Sequence, residues 1–323
     1  MLRVAMAGPG RWGTRLMESV QGKSDKIRFV AAVTRDPPGK RALAERFGLT
    51  LTSSYAEVLA DPTIDCVVLC TPHSQHAAEV IAAAQAGKHV FCEKPFTLTV
   101  DDAKAAIAAC QAANITLHVG FNRRHAPAYI ELARRIAAGD IGKPRHIEGQ
   151  FSGPGSYQTE AGNWRANQIE SPAGSMTARG VHVIDGMVHL AGLVETVFAF
   201  SGRLQHDIDV DDTTACLLRF SGGATGTLGT LHATAPFYRI HAFGSQGALE
   251  MRGETELLAT DLAGKVERIT FEAADKERAV LESFADAVTS GTNFVITPAE
   301  IVNTVAVTQA VAQSASSGVA VPL

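Results

Sequence analysis

The chain has 323 residues, of which 46% are hydrophobic and 19% charged, with a net charge of -4. That length exceeds what one ordinary core organises and implies two domains, and the hydrophobic share excludes a disordered chain. The slightly acidic balance removes the electrostatic basis for a nucleic-acid partner, and no apolar run approaches the roughly 18 residues of a membrane span.

A strand pattern starts at residue 2, which leaves no room for a signal peptide, so the expected setting is cytoplasmic. The five cysteines (Cys66, Cys70, Cys92, Cys110, Cys216) fit that setting as reduced residues. Four lie in apolar strand or helix patterns, and Cys66 and Cys70 lack a second pair at zinc-ligand spacing.

The first 120 residues alternate strand and helix signals. Short apolar runs at 2–7, 29–34, 66–70, 89–92 and 115–119 read as strands, and 11–21, 40–47, 55–59, 75–86 and 100–113 as helices. In the fourth helix Ala77, Val80, Ile81 and Ala84 keep the 3.6-residue period, with Gly87 where a C-cap belongs. Apolar strands separated by helices predict an α/β fold: a parallel, doubly wound sheet that binds ligands at its carboxyl ends. After a helix at 127–138 the pattern changes. Strands are expected at 145–151, 196–202, 213–220, 224–233, 239–243 and 266–271. Hairpin-like connections at Ser221-Gly222-Gly223, Ser245-Gln246-Gly247 and Leu262-Ala263-Gly264 predict a mainly antiparallel sheet. Helices at 276–290 and 298–316 close the chain, the first with Val280, Leu281, Phe284, Ala287 and Val288 on one apolar stripe. The stretch 153–175, rich in Gly, Ser, Pro, Asn and Gln, reads as a binding loop. Two domains follow, 1–121 and 122–323, the second an α+β domain on an open sheet.

The chemistry begins with Gly8-Pro9-Gly10-Arg11-Trp12-Gly13, which follows a strand and opens a helix. Glycines Gly8, Gly10 and Gly13 at that spacing permit a tight turn and close backbone approach, so that a helix N-terminus faces a pyrophosphate. The second strand ends at Thr34-Arg35-Asp36. An arginine at this tip pairs with a 2′-phosphate, so Thr34 and Arg35 favour NADP, while Asp36 keeps NAD open. Thr71 and Pro72 at the end of the third strand motif line the nicotinamide side, with His76 close behind. Glu93-Lys94-Pro95 ends a further strand and places an ionisable amine at the mouth of the same sheet. A cradle and an amine so arranged are the layout of a nicotinamide-dependent dehydrogenase.

These residues, together with Gly120-Phe121-Asn122-Arg123-Arg124, Asn163-Trp164-Arg165 and Gly180-Val181-His182-Val183-Ile184-Asp185, closely resemble the Gfo/Idh/MocA oxidoreductases over nearly the whole chain. The resemblance implies an N-terminal Rossmann domain and a C-terminal open-sheet α+β domain that often forms the oligomer interface. It implies that Lys94 lies beside the nicotinamide, as a cofactor contact, and orients the substrate oxygen or moves its proton, that Glu93 contacts the nicotinamide ribose, and that a cis bond precedes Pro95. His182 becomes the acid/base, oriented by Asp185, and Asn122 joins the cofactor contacts. One departure matters. Inositol-dehydrogenase-like members carry an aspartate four residues before the histidine, where this chain has Ala178 followed by Arg179. Either Lys94 and His182 suffice, or the substrate is not a neutral polyol. Arginines around the motifs (Arg123, Arg124, Arg165 and Arg179), with Trp164, favour a carboxylate-bearing small molecule. His182, Asp185 and His189 fall at helical spacing but lack a further ligand cluster, and no metal is expected. A homodimer or homotetramer is expected from the uncovered sheet face. The alternative to an enzyme is a catalytically silent nucleotide-binding regulator on the same fold, which Ala178 keeps open.

Overall fold

The computed structural model describes residues 1–158, 162–205 and 208–323. Along the chain run β1 (Leu2–Ala7), α1 (Arg11–Val20), β2 (Ile27–Val33), α2 (Arg41–Phe47), β3 (Thr50–Thr52), α3 (Tyr55–Ala60), β4 (Cys66–Leu69), α4 (His76–Gln85), β5 (His89–Cys92), α5 (Val100–Ala112) and β6 (Leu117–Val119). Then come α6 (Pro127–Ala138), β7 (Pro144–Ser152), α7 (Val181–Ala191), β8 (Val194–Gly202), β9 (Thr213–Phe220), β10 (Thr225–Leu231), β11 (Phe237–Gly244), β12 (Gly247–Arg252), β13 (Glu256–Asp261) and β14 (Val266–Thr270). Helices α8 (Lys276–Ser290) and α9 (Pro298–Ser317) and the short β15 (Val321–Pro322) complete it. Packing divides the chain into two units. The first holds Met1–Thr97, Asp101–Asn122 and Asp275–Pro298; the second holds Leu98–Val100, Arg123–Ala274 and Ala299–Leu323. The helix at 276–290, read from sequence as part of the second domain, thus packs with the first.

In the first unit six parallel strands run β3-β2-β1-β4-β5-β6, the doubly wound order whose ligand crevice lies at the strands' carboxyl ends. The sheet contributes Val4, Met6, Phe29, Val68 and Phe91 to a core that α1 covers with Leu16 and Met17. The stripe of α8 enters the same core through Val280, Leu281, Phe284 and Ala285. Asp275 starts that helix by accepting from the Arg278 N–H (3.0 Å), and Gly291 ends it in the left-handed conformation. Strand β3 carries no sequence signal because its three residues bury nothing completely.

The second unit holds nine strands in the order β14-β13-β12-β11-β7-β10-β9-β8-β15, antiparallel except for the β7–β10 pair. Strands β12 and β13 are additions to the sequence reading. In β12 only Leu249 and Met251 are buried, and in β13 Leu257 and Leu258 are buried side by side, which hides the period of two. Helices α6, α7 and α9 cover one sheet face through Leu132, Ile184, Met187, Val307 and Val311. The expected binding loop contains a 3-10 turn at Gly155–Gln158, and its residues 159–161 lie outside the described residues. A π-helical turn, Met176–Gly180, leads directly into α7. Cys66, Cys92, Cys110 and Cys216 are buried, and burial pushes the Cys110 and Cys216 thiols up to about 12. Among the described residues no helix is long and apolar enough to cross a membrane.

Candidate active site

The chain leaves β1 through Gly8, whose φ of 84° belongs to glycine. A Cβ on Gly8 would stand 2.6 Å from the Cys70 carbonyl oxygen, and one on Gly13 would stand 2.6 Å from that of Gly8. At Gly10 a Cβ would meet nothing within 4 Å, so this point of the turn is open. Gly10 is also the N-cap of α1, and no side chain caps the helix. Its first N–H groups and the positive end of its dipole are therefore left to a ligand, which fits a dinucleotide pyrophosphate. Arg11 is exposed at this end. Trp12 packs on the first core, and its buried Nε1 has no partner among the described residues.

At the β2 tip, Thr34 is half-buried and donates its N–H to Thr52 O (3.0 Å). Asp36 accepts from the Gly39 N–H (3.0 Å), so its carboxylate builds the following turn. Arg35 is exposed and has no carboxylate partner among the described residues.

Three strand ends carry the next group. Thr71 and Pro72 are half-buried beyond β4, and Thr71 Oγ1 donates to Glu79 Oε2 (2.5 Å). Burial pushes the Glu79 carboxyl up to about 7, against the Thr71 bond, which lowers it. His76, expected at the cofactor, has a relative exposure of 0%. Its Nδ1 lies 3.0 Å from Pro95 O and its Nε2 3.1 Å from Thr71 O. The imidazole ties the chain around Lys94 to the end of β4 and has no surface to offer a ligand. Glu93 is buried, and its Oε2 accepts from the Lys94 N–H (3.2 Å). Lys94 is half-buried, followed by a cis peptide to Pro95. Asn122 is buried and donates Nδ2 to Glu277 Oε1 (2.9 Å). Glu277 in turn faces Arg15 (3.2 Å) and Lys276 (3.4 Å). Sequence reading missed Glu277: it stands 155 residues from Asn122, and only the return of α8 joins them.

In the second unit, Asp185 and Arg124 engage each other. Arg124 grips Asp185 with two bonds, Nε–Oδ2 at 2.9 Å and Nη2–Oδ1 at 2.7 Å, and also reaches Glu300 (3.1 Å) and His189 (2.8 Å). Each group answers the charge of the other, so this carboxylate and this guanidinium serve a buried network. A guanidinium thus stands between Asp185 and His189. Among the described residues no group of three or more His, Cys, Asp or Glu could hold a metal ion.

A second cluster gathers on Phe151. The guanidinium of Arg123 lies 4.7 Å from the Phe151 ring centroid and 5.0 Å from that of Tyr238, and it pairs with Glu254. Arg179 lies 5.2 Å from the same Phe151 centroid, and the His182 ring 6.2 Å from it. His182 is buried in the first turn of α7, Ala178 and Arg179 are half-buried, and the Tyr238 hydroxyl is buried with no partner among the described residues. Trp164 and Arg165 stack on each other at 3.9 Å, with Arg165 exposed.

Comparison with known proteins agrees with this architecture. The oxidoreductase family with an NAD-binding Rossmann fold (GFO_IDH_MocA) matches residues 2–121, and the GFO/IDH/MocA C-terminal domain matches residues 129–250. Myo-inositol 2-dehydrogenase of Thermotoga maritima is 30% identical over 274 residues, covering 81% of this chain and 79% of that protein. D-xylose 1-dehydrogenase (NADP(+)) 2 of Haloferax volcanii is 29% identical over 322 residues, 95% of each. A solved levoglucosan dehydrogenase, in complex with NADH and levoglucosan, superposes with a TM-score of 0.89 at 24% identity, covering 99% of both chains.

Proposed function

The chain belongs to the Gfo/Idh/MocA oxidoreductase family and is an NAD(P)-dependent enzyme acting on CH–OH groups, and from that premise we propose that it interconverts a secondary alcohol and a ketone on a sugar-like or carboxylated cyclic substrate. The observation that carries this reading is Lys94, at the carboxyl end of β5, in the same parallel sheet whose β1 leads into the uncapped glycine turn.

The bound dinucleotide supplies the hydride acceptor or donor; the chain supplies everything else. Gly8, Gly10, Arg11, Trp12 and Gly13 hold the pyrophosphate end. Thr34 and Arg35 hold the adenosine ribose, and the exposed charge of Arg35 favours NADP while NAD remains usable. Thr71, Pro72, Glu93 and Asn122 hold the nicotinamide end. Lys94 donates to the substrate oxygen and fixes its orientation. His182 takes the hydroxyl proton in oxidation and returns it in reduction, because an alcohol cannot lose hydride readily while keeping that proton. Asp185, committed to Arg124, keeps α7 in place and leaves the proton chemistry to His182.

The second reading, a silent regulator, is favoured by Ala178 alone. Lys94 and His182 together argue against it, since a sensor needs no proton-transfer pair. Lys94→Ala separates the two readings. For the enzyme, turnover disappears in this variant while the dissociation constant of NADPH, followed by fluorescence, stays close to that of the parent. Full turnover in Lys94→Ala would remove the lysine from the mechanism. Dinucleotide binding by the parent without turnover of any alcohol or ketone would favour the regulator.

A further inference from the structure

Four arginines crowd the motifs, and their surroundings differ. Arg124 is saturated by Asp185, Glu300 and His189; Arg165 is exposed on Trp164; Arg123 is paired with Glu254. Arg179 alone of the four is half-buried and has no carboxylate partner among the described residues. Its hydrogen bonding there amounts to one long contact, 3.5 Å from Nη1 to Ser152 O. A charged group taken partly out of water requires compensation, and the face of Phe151 gives only a part of it. Burial, and then the charge of Arg123, hold Arg179 below the usual arginine range.

The surroundings are shaped to keep the guanidinium where it is. A Cβ on Gly153 would stand 2.6 Å from Arg179 Nη1, and one on Gly155 would meet the His232 ring first and then Arg179 Nη2 at 2.8 Å. Two glycines thus leave space that any other residue would fill. Arg179, in the π-helical turn, and His182, in the first turn of α7, both stand against Phe151, at 5.2 Å and 6.2 Å from its ring centroid. Tyr238, with its buried hydroxyl, packs tilted at 49° against Phe151, with ring centroids 5.0 Å apart.

We propose that Arg179 is the specificity-determining residue of this enzyme and that it binds a carboxylate on the substrate. The substrate class is a hydroxylated organic acid rather than a neutral polyol. Ala178 belongs to the same arrangement: an aspartate beside Arg179 would neutralise the guanidinium and repel the substrate anion. This inference rests on the dehydrogenase reading above and deepens it.

Three matched pairs of probes isolate the charge: D-glucuronate with D-glucose, D-galacturonate with D-galactose, and D-gluconate with D-glucitol. Within each pair a carboxylate replaces a CH2OH group. The acid member is expected to be favoured in kcat/KM by about tenfold to a hundredfold in at least one pair, the worth of a charge-assisted bond. Arg179→Met should abolish that preference by raising KM for the acid member, with the melting temperature close to that of the parent. Arg179→Lys should restore part of it, because an ammonium keeps the charge and loses the fork. Turnover of neutral members alone, an acid-to-neutral ratio unchanged in Arg179→Met, or no turnover of any member by a protein that binds the dinucleotide overturns the inference. A parent protein that binds no dinucleotide is a different failure, that of the dehydrogenase reading itself.

Discussion

Arg35 and Asp36 stand side by side after β2, and the fold uses only one of them. Asp36 holds the Gly39 N–H, while Arg35 points its charge at solvent with no acid to answer it among the described residues. A carboxylate at this tip suits the ribose hydroxyls of NAD, and one oxygen of Asp36 already accepts from the Gly39 N–H. Arg35→Ala is therefore expected to weaken NADPH binding by about tenfold to a hundredfold and to leave NADH nearly unchanged. Fluorescence titration of both cofactors measures it, and an equal loss for the two would remove the 2′-phosphate contact. Residues such as Arg35, Lys94 and the turn glycines were legible because a strand, a turn and a helix place them by local spacing. Asp185 and His76 were legible as chemistry and not as partners. Arg124 and Pro95, which engage them, are brought there by tertiary packing that no local period encodes.

Helix α8 shows the same limit one level up. Its apolar stripe was plain in the sequence, but a stripe states only that a core exists, not which one. The structure gives it to the first unit, where Phe284 is fully buried at 5.9 Å from the Phe91 ring and 6.4 Å from that of His118. The same docking brings Glu277 to Asn122, so the helix carries a polar contact into the candidate cofactor region as well as closing the core. Phe284→Ala should cost about 3–5 kcal/mol, the transfer free energy of the ring plus the cavity it leaves. Urea denaturation reads this as a lower midpoint at an unchanged slope. The exposed Val266→Ala, at 55% relative exposure, should stay within about 0.5 kcal/mol of the parent. A loss in Phe284→Ala no larger than in that control would mean that α8 does not close this core.

At the scale of the whole molecule, the second sheet has two unlike faces. Helices cover one of them, and the register of β8 on β9 sets out the other: Phe198 opposite Leu217 and Phe200 opposite Ala215. Phe198 and Phe200 meet edge to face at 5.0 Å, and Phe200 and Leu217 are 69% and 58% exposed. Large apolar side chains grouped on one sheet face suit a docking surface better than scattered exposure does. Charges beside it, Arg219 with Glu195 and Arg239 with Glu148, are of both signs and already paired, as suits a surface that meets a second copy of itself. We propose on these grounds that the chain forms a homodimer or homotetramer through this face. Sedimentation equilibrium at micromolar concentration should find the parent as an oligomer. The double substitution Phe200→Glu with Leu217→Glu should yield monomers of unimpaired secondary structure, because both side chains lie outside the core and burying four carboxylates in a twofold contact is prohibitive. A monomeric parent, or an oligomer indifferent to the two charges, would place the interface elsewhere or deny it.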